Sequence, residues 1–185
     1  MRAYLLSTAA AAAMLFSAAP ASAISIVIGD SLASACYRSA SSSMSFRAAL
    51  EECDRAIEEE VLTQDDRAAT LVNRGVVKMR AGDLRGADHD FDTALAMDRA
   101  RAEAYLNKGF LRLMQGHYRD ALPYLDRSLE ARTIRPALAH YARGIVHEEM
   151  GDVRAAYGDY VRARELDPSW SLPAQELARF NVSGR

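Results

Sequence analysis

Asn73-Arg74-Gly75, Asn107-Lys108-Gly109 and Ala142-Arg143-Gly144 stand at equivalent places in a stretch, Ala68 to Pro168, that repeats one pattern three times. Seven residues past each glycine stands another: Gly82, Gly116 and Gly151. Twelve past it stands an alanine: Ala87, Ala121 and Ala156. The first glycines are 34 and then 35 residues apart. A period near 34 marks stacked helical hairpins, each unable to bury its apolar face alone.

Each residue in the pattern has a physical reason. The first glycine falls inside a helix, where it costs about 1 kcal/mol relative to alanine. Close approach of a neighbouring helix explains it there. The second glycine ends that helix in a left-handed conformation. Asp83 and Asp152 follow and are suited to cap the next helix, whereas His117 is a poorer cap. Second helices are expected at Leu84 to Met97, Tyr118 to Ala131 and Val153 to Leu166. Their apolar residues recur at three and four: Ala87, Phe91, Ala94, Leu95; Ala121, Leu125, Leu129; Ala156, Tyr160, Ala163, Leu166. Each set makes one buried stripe.

These residues resemble the tetratricopeptide repeat, here in an exported bacterial type. The resemblance implies an all-α fold, a right-handed superhelix of antiparallel helix pairs (an α-solenoid). The expected divisions are a signal peptide (1–23), a degenerate N-terminal hairpin and linker (24–66), and three repeats over 67–170 (68–101, 102–136, 137–170). A capping helix and tail follow (171–185). The degenerate unit, residues 31 to 60, has Tyr37 and Met44 where the glycines belong. Departures from the family pattern occur in the first helices. Arg74, Lys108 and Arg143 replace a leucine; Lys78, Arg112 and His147 replace a tyrosine. The closing proline is present only at Pro168, with Arg99 and Thr133 in the earlier units.

The first 23 residues read as an export signal. Met1-Arg2 is a positive start, Tyr4 to Ala19 is apolar, and Pro20-Ala21-Ser22-Ala23 ends small-x-small. The apolar run of about 16 residues, followed by proline, falls short of the roughly 20 a spanning helix needs. Cleavage after Ala23 would leave no membrane span and place the protein in the periplasm or outside the cell. Cys36 and Cys53 fit that compartment as a disulfide, worth about 3 kcal/mol for a loop of this size. The alternatives are two separate buried thiols or, remotely, a metal site, for which two cysteines supply too few ligands.

Other segments read as follows. Ile24 to Ile28 is an extended or frayed run, and Gly29-Asp30-Ser31 is a turn and cap. Leu32 to about Ala40 is a short helix, Ser39 to Ser45 a connection, and Phe46 to Glu60 a firmer helix. Thr63 to Asp66 resembles a capping box. Pro136 suits a first helical turn. Pro123, about six residues into a helix, predicts a bend or a late start. Ser171 to Phe180 is the terminal helix such an array needs.

Composition and motifs exclude more than they assign. Net charge is −2, from 23 basic and 25 acidic residues, without a basic tract or stacking aromatics. Nucleic acid is therefore not expected as a partner. Arginine outnumbers lysine 21 to 2, read as codon usage. No phosphate loop or nucleophile elbow occurs, so no catalytic, cofactor-binding or metal residues are expected, and no cofactor. His140 and His147 lie two helical turns apart, about 10.5 Å, too far for one metal ion. Asp88, Asp90 and Asp92 read as a solvated helix face.

The expected function is a non-enzymatic protein-interaction module, a scaffold or adaptor, binding a protein or peptide partner. The alternative is a structural or envelope-assembly component acting as a fixed subunit or oligomer. An enzyme with a site spread across repeats is a third reading. The resemblance places Val72, Val76, Met79, Leu106, Phe110, Leu113, Tyr141 and Ile145 on the concave face, with Glu148 and Glu149 at one end. That strip is either an open groove or covered by the chain's own ends, Ile24 to Ile28 or the final helix. A clamp for a terminal carboxylate has Asn73 and Asn107 in place, but the third unit offers Ala142 and Leu138. Equivalent positions also predict ion pairs Arg74–Asp90 and Arg143–Asp159. Lys108 and Tyr124 occupy those places in the middle unit, giving at most a hydrogen bond.

Overall fold

The computed structural model describes residues 31–41 and 45–180. The expected signal peptide, the Ile24–Ile28 run, the start of the Gly29–Ser31 turn and the tail beyond Phe180 lie outside the described residues. The described residues from Leu32 onward belong to one compact unit.

Nine helices occur among the described residues, and no strand. They are α1 (Leu32–Ser41), α2 (Phe46–Glu59), α3 (Gln64–Arg80), α4 (Leu84–Met97), α5 (Ala102–Met114), α6 (Tyr118–Glu130), α7 (Pro136–Glu149), α8 (Val153–Leu166) and α9 (Ser171–Arg179). The three expected units are the pairs α3/α4, α5/α6 and α7/α8, which pack most extensively. Each second helix then packs on the next first helix, α2 on α3 through α8 on α9. The array is an α-solenoid.

Local chemistry sets the ends of these helices. Gly82, Gly116 and Gly151 have φ of 86°, 74° and 82°. At each, the glycine N–H bonds back three residues and the next N–H bonds back five: Gly82 to Met79 and Asp83 to Lys78, at 3.1 and 2.9 Å. This closing motif satisfies carbonyls that the helix end leaves unpaired. Asp83 and Asp152 cap α4 and α8 by accepting from Gly86 and Ala155 N–H at 2.9 and 3.0 Å. His117 makes no such bond. The end of α6 uses the same motif with Arg132 at φ 60°, a conformation costing a non-glycine residue roughly 1–2 kcal/mol. Nothing in the repeat pattern marks that position.

The interior glycines have the packing reason expected of them. A Cβ on Gly75 would lie 2.5 Å from the Phe91 ring; at Gly109 it would meet Leu125 at 2.5 Å, and at Gly144 the Tyr160 ring at 2.7 Å. Ala68, Ala87, Ala94 and Ala104 pack around Phe91 with Leu71, Val72 and Leu111. Small side chains let the helices approach closely, and close-packed interiors leave no room for an added methyl.

Three expectations need correction. The Ser39–Ser45 connection is shorter, because α1 continues through Ser41 and buries Ser39. Thr63 caps α3 as expected, accepting from the Asp66 N–H at 3.1 Å, but the Asp66 carboxylate accepts from the Thr63 hydroxyl, at 2.7 Å, and not from its backbone N–H. Finally, α6 does not start late: it runs through Pro123 from Tyr118. Pro123 and Arg119 are both exposed, so water can take the carbonyl that proline leaves without a donor.

At the N-terminal end, α1 and α2 lie antiparallel. The Ala33 N–H donates to Glu60 Oε2 at 2.9 Å, and Ser39 Oγ donates to Glu52. Between them the sulfurs of Cys36 and Cys53 are bonded at 2.09 Å, with Cα atoms 4.5 Å apart, within the range a disulfide requires. Both α1 and α2 pack on α3. No helix among the described residues is long and apolar enough to cross a membrane.

Candidate interaction groove

The first helices α3, α5 and α7 lie in succession, and α1 stands against α3 in the same manner. Between them runs a groove of about 360 Å³. Val72, Asn73, Val76 and Arg80 come from α3, and Glu103, Leu106 and Asn107 from α5. Ile134, Arg135 and Leu138 come from the entry to α7, and Tyr37 and Ala40 from α1. The floor is apolar and the rim polar. Arg80 Nη1 donates to the Ala40 carbonyl at 2.8 Å, fixing the α1 side. Glu103 Oε1 accepts from the Thr133 hydroxyl and Ile134 N–H at 3.2 and 3.0 Å, holding the loop on the other side.

Of the strip read from the sequence, Val72, Val76 and Leu106 line this groove. Val72 and Leu106 are buried between units, only 5% and 3% exposed. Met79 packs on the first unit's core, and Phe110 and Leu113 on the cluster around Leu125 and Ala142. Ile145 is half-buried on α7. Tyr141 is covered by the chain itself. Its ring lies 4.7 Å from Trp170 and 5.6 Å from Tyr160, and its hydroxyl donates to Glu176 of α9 at 3.2 Å. Glu148, expected at one end of the strip, accepts from the Tyr160 hydroxyl at 2.8 Å and pairs with Arg179. The final helix thus covers one end of the strip. The period alone would have found Glu103 and Leu138, one repeat apart; Ile134 and Arg135 lie in a connection the pattern does not describe.

Beneath the helices lies a charge ladder. Arg74 makes two parallel bonds to Asp90, at 2.8 and 2.7 Å, and one to Asp54 of α2 at 2.8 Å. Lys78 adds a fourth contact, to Asp90, at 2.8 Å. Arg143 repeats the arrangement with Asp159, at 2.9 and 2.8 Å, and with Asp126 of α6 at 2.7 Å. Both expected pairs are present, each extended to the preceding unit. The middle unit departs from expectation. Lys108, 2% exposed, reaches Asp88 and Asp92 of α4 at 2.7 and 2.5 Å, while its ammonium lies 5.2 Å from the centre of the Tyr124 ring. A cation over an aromatic face is favourable, so this unit is tied by more than a hydrogen bond.

The reading of Asp88, Asp90 and Asp92 as a solvated face is therefore corrected. Asp90 is fully buried, and Asp88 pairs with both Lys108 and Arg112. The alternation puts Asp88 and Asp92 on the side facing α5 and Asp90 on the side facing α3. His140 Nδ1 lies 2.8 Å from Asp159 Oδ1, joining that site from α7.

These pairs give stability a pH dependence. Burial pushes the Asp159 carboxyl up, but hydrogen bonds with His140 and Arg143 outweigh it and hold it below the usual range. Burial of Asp88 is likewise outweighed by Lys108 and Arg112. A carboxyl depressed in the folded state stabilises fully above its unfolded pKa, about 3.9. The contribution is lost as pH falls through the folded value. Urea midpoints are expected to fall steeply below about pH 4, and Asp159→Asn to remove part of that fall. An unchanged slope in that variant would contradict the assignment.

No group of three or more histidine, cysteine or acidic side chains among the described residues is arranged to hold a metal ion. No family model matches the chain. Two curated relatives do, the FK506-binding protein-like proteins of Mus musculus and Rattus norvegicus, 28% and 27% identical over 138 residues. That match covers 70% of this chain but only 38% of each relative's length. Among solved structures, MamA of Desulfovibrio magneticus RS-1 superposes with a TM-score of 0.61 at 24% identity, covering 74% of this chain and 75% of that one. The first TPR of Spaghetti (RPAP3), bound to the HSP90 peptide SRMEEVD, gives 0.59 at 17%, covering 65% and 94%. The Arabidopsis OM64 TPR domain gives 0.57 at 16%, covering 63% and 98%. These likenesses carry the fold.

Proposed function

We propose that this chain, whose fold is that of tetratricopeptide-repeat structures, is a non-enzymatic interaction module that seats a peptide or helix of a protein partner. The observation carrying this reading is the groove between α1, α3, α5 and the start of α7, with an apolar floor of Val72, Val76, Leu106 and Leu138. A concave apolar surface rimmed by a few polar groups is the usual form of a recognition site. The HSP90 peptide bound by the RPAP3 neighbour supports the same reading by analogy of fold. Action in the periplasm or outside the cell is supported by the signal-like start of the chain and the bonded cysteine pair.

A fixed-subunit role is the second reading. Ile134, 80% exposed, also lines a second hollow with Leu138, Leu166 and Trp170, next to the groove. Size-exclusion chromatography distinguishes the two: a stable oligomer favours the subunit.

Affinity capture from the native envelope tests the groove. Asn73→Ala with Leu138→Ala is expected to reduce recovery of the partner at least about tenfold, roughly 1.4 kcal/mol, beyond any loss of folded protein read by circular dichroism, since Leu138 also packs beside Leu125 and Ala142. Binding by apolar burial should change little with salt. Phe110→Ala and Tyr141→Ala should act through stability, because both side chains pack inside the array. If the Asn73/Leu138 variant captures the same proteins as the wild type, the groove is not the binding surface.

A further inference from the structure

We propose that the Cys36–Cys53 disulfide is the condition for one wall of the groove: intact, it holds α1 in place, and its reduction releases α1 and opens that side. The inference rests on the groove being the binding surface, as proposed above.

The wall is α1, whose Tyr37 and Ala40 face Val72 and Val76 across the groove. It has 10 residues. An isolated helix shorter than about 12–15 residues is marginal in water, so α1 depends on what anchors it. The cluster it enters is built of small side chains: Ala40, Ala49, Ala56 and Val77 around the two cysteines, with Leu32 and Leu50 partly buried. The corresponding cluster of the first full unit contains Phe91, Leu71, Val72 and Leu111. Apolar burial scales with area, so the small side chains around α1 hold it less firmly than the cluster around Phe91 holds α3. Polar contacts add to these, among them Ser39 to Glu52, the Ala33 N–H to Glu60, and Arg80 to the Ala40 carbonyl. Only the sulfur–sulfur bond ties the middle of α1 covalently to α2.

The chemistry is a thiol–disulfide exchange. A dithiol reductant gives up two electrons and two protons and becomes a disulfide; Cys36 and Cys53 become two thiols. Both are fully buried, so thiolate attack on sulfur follows local opening of the hairpin. In an oxidising compartment the bond persists and the groove has its wall; in a reducing one the wall is lost while the three repeats remain.

The test is hydrogen exchange followed by mass spectrometry on the full exported chain, before and after dithiothreitol, with thiols counted in each state. Expected are no free thiols before treatment and two after it. Amides of Leu32–Ser41 should then exchange at least about tenfold faster, and those of Leu84–Leu166 at an unchanged rate. The Cys36→Ala/Cys53→Ala variant should show the fast pattern with and without reductant. Equal protection of α1 in the reduced protein would overturn the proposal, as would loss of protection throughout α4 to α8, or two thiols titrating before treatment. Exchange is read with no partner present. Failure of the capture experiment would therefore remove the functional reading and leave the behaviour of α1 measurable by itself.

Discussion

Asp90→Ala is expected to lower stability by about 3 kcal/mol, a large share of the 5–15 kcal/mol typical of a folded domain. Asp90 is fully buried and takes both parallel bonds from Arg74 as well as the Lys78 ammonium. Its removal leaves two cations, each less than one-fifth exposed, beside an apolar methyl. Arg74 keeps its bond to Asp54, which places the expected cost at the lower end of the range for breaking a buried pair. The control is Asp92→Ala on the same helix. Asp92 is 62% exposed, and its buried partner Lys108 keeps Asp88 and the Tyr124 ring when Asp92 is removed, so the expected cost is about 1 kcal/mol. Urea unfolding of the two variants should separate them by at least about 2 kcal/mol. Equal midpoints would mean that the ladder contributes no more than surface charge.

The second large effect lies at the Gly75–Phe91 contact. Phe91→Ala should cost about 3–5 kcal/mol, because a fully buried ring leaves a cavity its neighbours cannot fill. Gly75→Ala alone should cost about 1–3 kcal/mol, since its methyl would lie 2.5 Å from that ring. Combined, the sign of the glycine change should reverse. With the ring gone the methyl has space, and alanine is favoured over glycine inside a helix by about 1 kcal/mol. Urea unfolding of the four proteins completes the cycle. Simple additivity would show that the interior glycine is not there to admit the ring.

The contrast between these two sites separates what a repeat sequence discloses from what it conceals. The glycines were legible, because a residue that is costly in a helix and recurs at a fixed period has to be compensated by something packed against it. The ion pairs Arg74–Asp90 and Arg143–Asp159 were legible because equivalent positions recur in two units. Asp88, Asp90 and Asp92 were misread because alternating charges on a helix look the same whether water or a neighbouring helix faces them. Lys108 was incompletely read for a related reason. Its carboxylate partners belong to α4 of the preceding unit, whereas the comparison of repeats looked within a unit. The groove strip was read by family equivalence, which does not record that Tyr141 lies under Trp170 and α9.

By itself the sequence determined the unit length and the glycine turns inside each unit. Those depend on backbone preferences acting over a few residues: a left-handed glycine, a capping aspartate, a stripe at three and four. Tertiary structure alone decided which carboxylates are buried, where the groove has a floor, and which ends close it. α1 forms one wall, and α9 covers Tyr141 at the other end. Pro123 shows the same division: its local preference against a helix interior is overridden once α6 is packed along its length. Burial and charge pairing are set by neighbours distant in the chain, and their free energies, several kcal/mol per buried charge, exceed the local preferences the sequence expresses directly.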